Sequence, residues 1–181
     1  MKTYIAILRG INVSGKNKIQ MKELKELFEN LGFSDITTYI QSGNVIFRAD
    51  AKMSDKKIAA EIEKSIREKF GYEVPVIVRT KEEWILVAEQ NPFFKEPSVN
   101  REKLHVTFLE DAPSPELVSS FSKLDFSPDR FIISGKEVYL YIPESYGETK
   151  LSNKFIESKL KVKATTRNWN TTIKLAEMSG S

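Results

Sequence analysis

The chain has 181 residues, no Cys and a single His, with 29% charged residues and a net charge of +3. That length makes one large domain or two small ones with a real core, and the missing Cys excludes disulfides, thiolate nucleophiles and Cys-ligated zinc or iron–sulfur centres. No apolar run approaches the ~20 residues of a membrane span. "MKTYIAILRGIN" has only a short, strand-like apolar stretch and no cleavage site of a signal peptide, so a cytoplasmic protein with no membrane partner is expected.

"TYIAILR" is apolar on both faces, the mark of a central strand covered on both sides. "QMKELKELFENLG" then sets Leu24, Leu27, Phe28 and Leu31 at helical spacing before Gly32. "DITTYIQSGNVIFRA" reads as a hairpin broken at Ser42-Gly43-Asn44. Ser54 caps a helix that Gly71 ends, "VPVIVRT" is a fourth strand, and "KEEWILVAEQN" is a helix stopped near Pro92. The order is β-α-β-β-α-β plus a helix, as in ferredoxin-like folds.

The second half repeats that order. "LHVTFLE" is a strand, "SPELVSSFSKL" a helix, and "RFIISGKEVYLYIP" a second hairpin broken at Ser-Gly. Ser152 caps "NKFIESKLK", "VKATTR" is a short strand, and "WNTTIKLAEM" a closing helix. Arg79, Ile85, Ala88 and Glu89 align without gaps on Arg167, Ile173, Ala176 and Glu177, and Ser42-Gly43 aligns on Ser134-Gly135. The expected fold is α+β, a tandem duplication of a ferredoxin-like β-α-β-β-α-β unit with extra helices. The repeats are set at 1–91 and 103–181, joined by a Pro-interrupted linker at 92–102.

What the repeats share is scaffold; what one has in excess is where function is sought. The first repeat has the long "RGINVSGKNKI" where the second has "EDAPSP"; the second adds "ESYGETKL" and replaces "RTKEEW" by "TRNWNT". Fold geometry puts Arg9, Asn12 and Lys16 beside Ser42 and Asn44 on one sheet edge. It puts Tyr146, Gly147 and Lys150 beside Arg167, Asn168 and Trp169 on the other. Residues 1–22 and 150–181 each carry +5, leaving −7 between, so cationic surface is local.

"LRGINVSGKNKIQM", "TYIQSGNVIF" and "TTRNWNT" together resemble the signatures of the bacterial domain-of-unknown-function family 1697 over nearly the whole chain. That family usually has two Gly in its first loop, where this chain has Ser14 and Gly15. The resemblance implies a ferredoxin-like α+β duplication and a compact cytoplasmic protein, and it implies no activity.

Gly10-x4-Gly15-Lys16 approaches a phosphate-binding loop, but Asn17 lacks the hydroxyl that holds magnesium and the helix starts only near Gln20. Such loops also sit on parallel sheets, whereas hairpins demand antiparallel neighbours. The aromatic signature of RNA-recognition domains is absent from "SGNVIFR". His105 on a strand reads as structural, and neither a metal site nor a cofactor is expected. Trp169 reads equally as a stacking residue or as a buried plug at a helix start. The leading expectation is a binding protein for an anionic small molecule or nucleic acid. Arg9, Lys16, Lys150 and Arg167 would supply charge, Asn12, Ser42, Asn44 and Asn168 orientation, and Trp169 a stacking surface. The alternatives are an enzyme using the same face, with catalytic residues not identified, and a structural protein whose Asn and Gly residues only fix turns.

Overall fold

The alternation of Tyr4, Ala6 and Leu8 with Ile5 and Ile7 makes a strand apolar on both faces, and all five side chains are buried. This strand, β1 (Lys2–Leu8), lies inside the first of two four-stranded antiparallel sheets in a computed structural model that describes residues 1–180. After it come α1 (Met21–Asn30), β2 (Ser34–Tyr39), β3 (Asn44–Ala49), α2 (Asp55–Phe70), β4 (Val76–Thr80) and α3 (Lys81–Glu89). The second half runs β5 (Leu104–Leu109), α4 (Pro115–Ser122), β6 (Arg130–Ser134), β7 (Glu137–Tyr141), α5 (Asn153–Leu160), β8 (Ala164–Asn168) and α6 (Trp169–Gly180). Strand orders are β2-β3-β1-β4 and β6-β7-β5-β8, so the fold is α+β with two similar halves. The chain divides into two compact units, Met1–Leu86 with the segment from Lys174, and Val87–Ile173.

Local chemistry explains the elements. Ser54 Oγ accepts from Lys57 N–H at 3.2 Å to start α2, whose buried Ile58, Ala59, Ile62 and Ile66 form one stripe, and Gly71 at φ 74° ends it. Ser152 starts α5 in the same way. Thr80 and Glu83 bond reciprocally at the start of α3, a capping box written in the sequence as Thr-x-x-Glu. Each unit also ties its last strand to its second helix by a carboxylate: Glu63 accepts from Val76 N–H at 2.9 Å, and Glu157 from Ala164 N–H at 3.0 Å.

The registers of the two sheets match. Ile5 lies opposite Ile46 and Arg79, and Val106 opposite Tyr139 and Arg167. Arg79 and Arg167 therefore occupy equivalent positions, as the gapless alignment expects. The Ser-Gly pairs do not. Leu8 N–H donates to Gly43 O, and its counterpart Leu109 N–H donates to Lys136 O, so Lys136 and not Gly135 stands where Gly43 stands. In the first unit α1 and α2 cover the face of Tyr4, Ala6, Leu8, Val45 and Phe47, with Phe28 and Phe33 packed on Phe47 at 5.1 and 4.9 Å. In the second, Phe121, Ile156 and Leu160 cover Leu109, Val138 and Leu140.

Candidate functional site

The long connection from β1 to α1 is built from residues that tolerate left-handed backbone. Gly10, Asn12, Ser14, Gly15 and Asn17 all have positive φ. Ser14 and Gly15 (φ 51° and 74°) are the centre of a tight turn closed by Lys16 N–H on Val13 O at 2.9 Å, the pattern of a type I′ turn. Glycine adopts the first central position without strain, whereas Ser14 holds it at a cost of about 1 kcal/mol. Of the six non-glycine residues at positive φ in the described chain, Asn12, Ser14, Asn17 and Ile40 belong to this loop or to the turn beside it. Clusters of such strain mark sites where the surroundings over-determine the backbone.

Asn12 is what over-determines it. Its Nδ2 donates to Ile19 O (3.0 Å) and to Gln41 O (2.8 Å), and its Oδ1 accepts from Ile19 N–H at 2.9 Å. One amide thus closes the loop on itself and fastens it to the hairpin turn between β2 and β3. Asn17 Nδ2 adds a bond to Gly10 O at 3.1 Å. In the turn, buried Asn44 donates to Tyr39 O and to Ser42 Oγ at 2.9 and 3.0 Å. Gly43 is fixed there twice over: its φ is 90°, and a Cβ would lie 2.8 Å from Ile11 Cδ1.

Between loop and turn lies a cleft of about 540 Å³ lined by Asn12, Gly15, Lys18, Ile19, Gln20, Glu23 and Gln41. Gln20 and Glu23 stand at the start of α1, whose N-terminal N–H groups have no side-chain cap. Lys16 is exposed at the end of its turn, and Arg9 is half-buried, its N–H donating to Pro75 O at 3.0 Å. Lys16 precedes α1 by several residues and its sheet is antiparallel, so the loop lacks both structural features of a phosphate-binding P-loop.

Of the second group of expected residues, Tyr146 lies near enough to Arg167 to favour its charge, and local structure sets the others differently. Lys150 lines a recess of about 280 Å³ with Asp125, Asp129, Glu144 and Glu148, and Arg167, Asn168 and Trp169 do not line it. Arg167 on β8 donates to Thr166 O at 3.0 Å; burial pushes its guanidinium down to about 10, which leaves it protonated at neutral pH. Asn168 Oδ1 accepts from Thr171 N–H at 2.8 Å and so caps α6, as Thr80 caps α3. Trp169 is buried edge-on against Phe94, ring centres 5.3 Å apart, in the manner of a plug. His105 stacks on Tyr146 at 4.9 Å, and burial lowers its pKa. Among the described residues no three His, Asp or Glu side chains gather so as to hold a metal ion, and no helix is long and apolar enough to cross a membrane.

The model of the family described as a protein of unknown function, DUF1697, matches residues 1–139. The chain belongs to DUF1697. That match takes in the whole loop, the hairpin turn and the cleft, and ends before the Lys150 recess and "TRNWNT" are complete. No curated protein matches the chain. Among solved structures, this DUF1697 chain is similar to the conserved bacterial protein SP0830 from Streptococcus pneumoniae. The identity is 23% and the TM-score 0.78, over 100% of this chain and 99% of that one. At that identity the likeness is one of fold.

The sequence singled out the loop and the hairpin turn as neighbours, and the Asn12–Gln41 bond joins them. It passed over Lys18, Gln20, Glu23 and Gln41, which line the cleft. Gln41 could have been found as the neighbour of Ser42 and Lys18 as part of the basic loop; Gln20 and Glu23, at the start of α1, carry no such signal.

Proposed function

We propose that the first unit binds a small phosphate-bearing metabolite in the cleft between the Arg9–Gln20 loop and the hairpin turn. The cleft itself carries the reading. It is concave, has Lys18 in its wall and Lys16 on the same loop, and belongs to a stretch of +5 with no acid before Glu23. Lys18, with Lys16, supplies charge-assisted hydrogen bonds, the amides of Gln20 and Gln41 orient the ligand, and the strained loop holds its shape through Asn12. Glu23 is the lone carboxylate of the lining and suits a ligand hydroxyl, which favours a sugar phosphate over bare phosphate. The cations at this cleft come from one short segment of the first unit, too few for the many phosphate contacts of a nucleic-acid groove.

Titration calorimetry with a sugar phosphate at low and high salt tests this. Binding that weakens with salt and is lost in Lys16→Glu/Lys18→Glu supports it. Binding unchanged in that double variant, or tight binding of a single-stranded oligonucleotide instead, overturns it. The second reading is structural, and a specific observation favours it: the amides of Asn12, Asn44 and Asn168 all bond to their own chain. In the proposed site Asn12 and Asn44 therefore frame the cleft, and Lys150, Asn168 and Trp169 take no part.

A further inference from the structure

Each sheet has an outer hairpin strand, β2 in the first unit and β6 in the second, and the two edges are finished differently. On β2 the register shifts between Ser34 and Thr37, Asp35 turns to φ 51°, and Arg48 pairs with Asp35 across the irregularity. A bulge and a charge at an edge are devices that discourage strand addition. β6 has neither. Its five residues, Arg-Phe-Ile-Ile-Ser, pair with β7 in unbroken register.

Backbone hydrogen bonds fix which way the edge points. Leu109 N–H donates to Lys136 O and Ile142 N–H to Lys103 O, so β7 uses even-numbered residues toward β5. Its odd-numbered residues then face β6, in pairs with Arg130, Ile132 and Ser134. Phe131 and Ile133 consequently turn their N–H and C=O groups outward. Alongside runs a groove of about 460 Å³ lined in part by Leu124, Asp125, Phe126 and Asp129, where Leu124 is 39% exposed.

We infer that β6 is an interface for a second copy of this chain, paired antiparallel about Ile132. The edge is complementary to itself in that register. Phe131 of one copy faces Ile133 of the other in a hydrogen-bonded pair, twice by symmetry, and an aromatic residue opposite a β-branched one is a favourable cross-strand pair. Arg130 faces Ser134, so no like charges stand directly opposite, and the Arg130 charge is already met by Glu96 through Nη1–Oε2 (2.7 Å) and a second, Nη2–Oε1 contact. The acidic end of the groove, Asp125 and Asp129, lies toward Lys136 of the second copy. One short strand and a groove make a small contact, so the dimer is a weak one that forms as concentration rises.

Sedimentation velocity of the full chain from micromolar to millimolar concentration tests the inference, with Ile132→Glu to oppose two carboxylates at the axis and Ile132→Val as control. The expected mass rises from 20.7 kDa toward twice that value for the parent chain and Ile132→Val. In Ile132→Glu association weakens about tenfold or more. A parent chain that stays monomeric throughout, or a dimer that Ile132→Glu leaves intact, overturns it. If Ile132→Glu fails to fold, amide exchange of the parent chain decides: Phe131 and Ile133 slow at high concentration, or the inference falls. Slowing produced only by an added extended peptide, with the protein monomeric, assigns the edge to another occupant and also overturns it.

Discussion

The first strand–helix connection begins with the same contact in both units and then diverges. Arg9 N–H donates to Pro75 O, and at the equivalent place Glu110 N–H donates to Lys163 O, at 3.0 and 2.9 Å. The sign of charge is inverted at one scaffold position. From there the second unit reaches α4 at Pro115 with no residue at positive φ, whereas the first travels to Met21 through five of them. The short connection shows what the fold requires. The rest of the long one is an addition, kept in shape by Asn12 and bordering the cleft.

The sharpest way to break the comparison is at the two hairpin glycines. Gly43→Ala forces a Cβ against Ile11 and Leu8 at positive φ, so a loss of about 3 kcal/mol is expected in urea unfolding. Gly135→Ala meets nothing within 4 Å and has only its φ of 58° against it, so about 1 kcal/mol is expected. Equal losses would mean that the first turn is no more tightly packed than the second. Next comes Asn12→Ala, which removes three hydrogen bonds that the second unit never had; a loss of about 2 kcal/mol is expected by the same measurement.

A pH profile separates the units at one register position. His105 lies opposite Asn168 as Tyr4 lies opposite Thr80. Burial depresses the His105 pKa below 6.5, so as the pH falls the unfolded chain takes up a proton first. Its contribution is present in full above 6.5 and is lost as the pH falls from there through the lower folded value. The Tyr4 pKa is raised and gives no such slope. Unfolding midpoints between pH 7 and 5 should therefore fall less steeply in His105→Gln than in the parent chain. The smallest expected effect is a gain: Ser14→Gly relieves the left-handed turn but loosens the unfolded chain, for about 0.5 kcal/mol net in urea unfolding.

The element order was legible because period-two strands, Ser caps and a C-terminal Gly act locally, and Ser54, Ser152 and Gly71 do in the structure what they say in the sequence. The Arg79–Arg167 match survived because both lie inside strands, where register is set by pairing. The Ser-Gly match failed because that dipeptide suits a turn at more than one place, and a four-residue turn was laid on a two-residue one. The site was harder to read. An Asn that clamps a backbone and one that holds a ligand look alike in sequence when the partner of Asn12 is Gln41, 29 residues away. Trp169 was ambiguous for a similar reason, since its partner Phe94 sits in the segment read as linker.

The central claim is that the excess loop of the first unit is a ligand site while its short counterpart is scaffold. The most direct test is an amide chemical-shift map of the full chain titrated with inorganic phosphate and then with a sugar phosphate. Saturable shifts confined to Gly15, Lys18–Glu23 and Gln41, larger for the sugar phosphate and absent at Glu110–Ser114, are the expected result. Shifts spread over both connections, or none that saturate at the cleft, would contradict it.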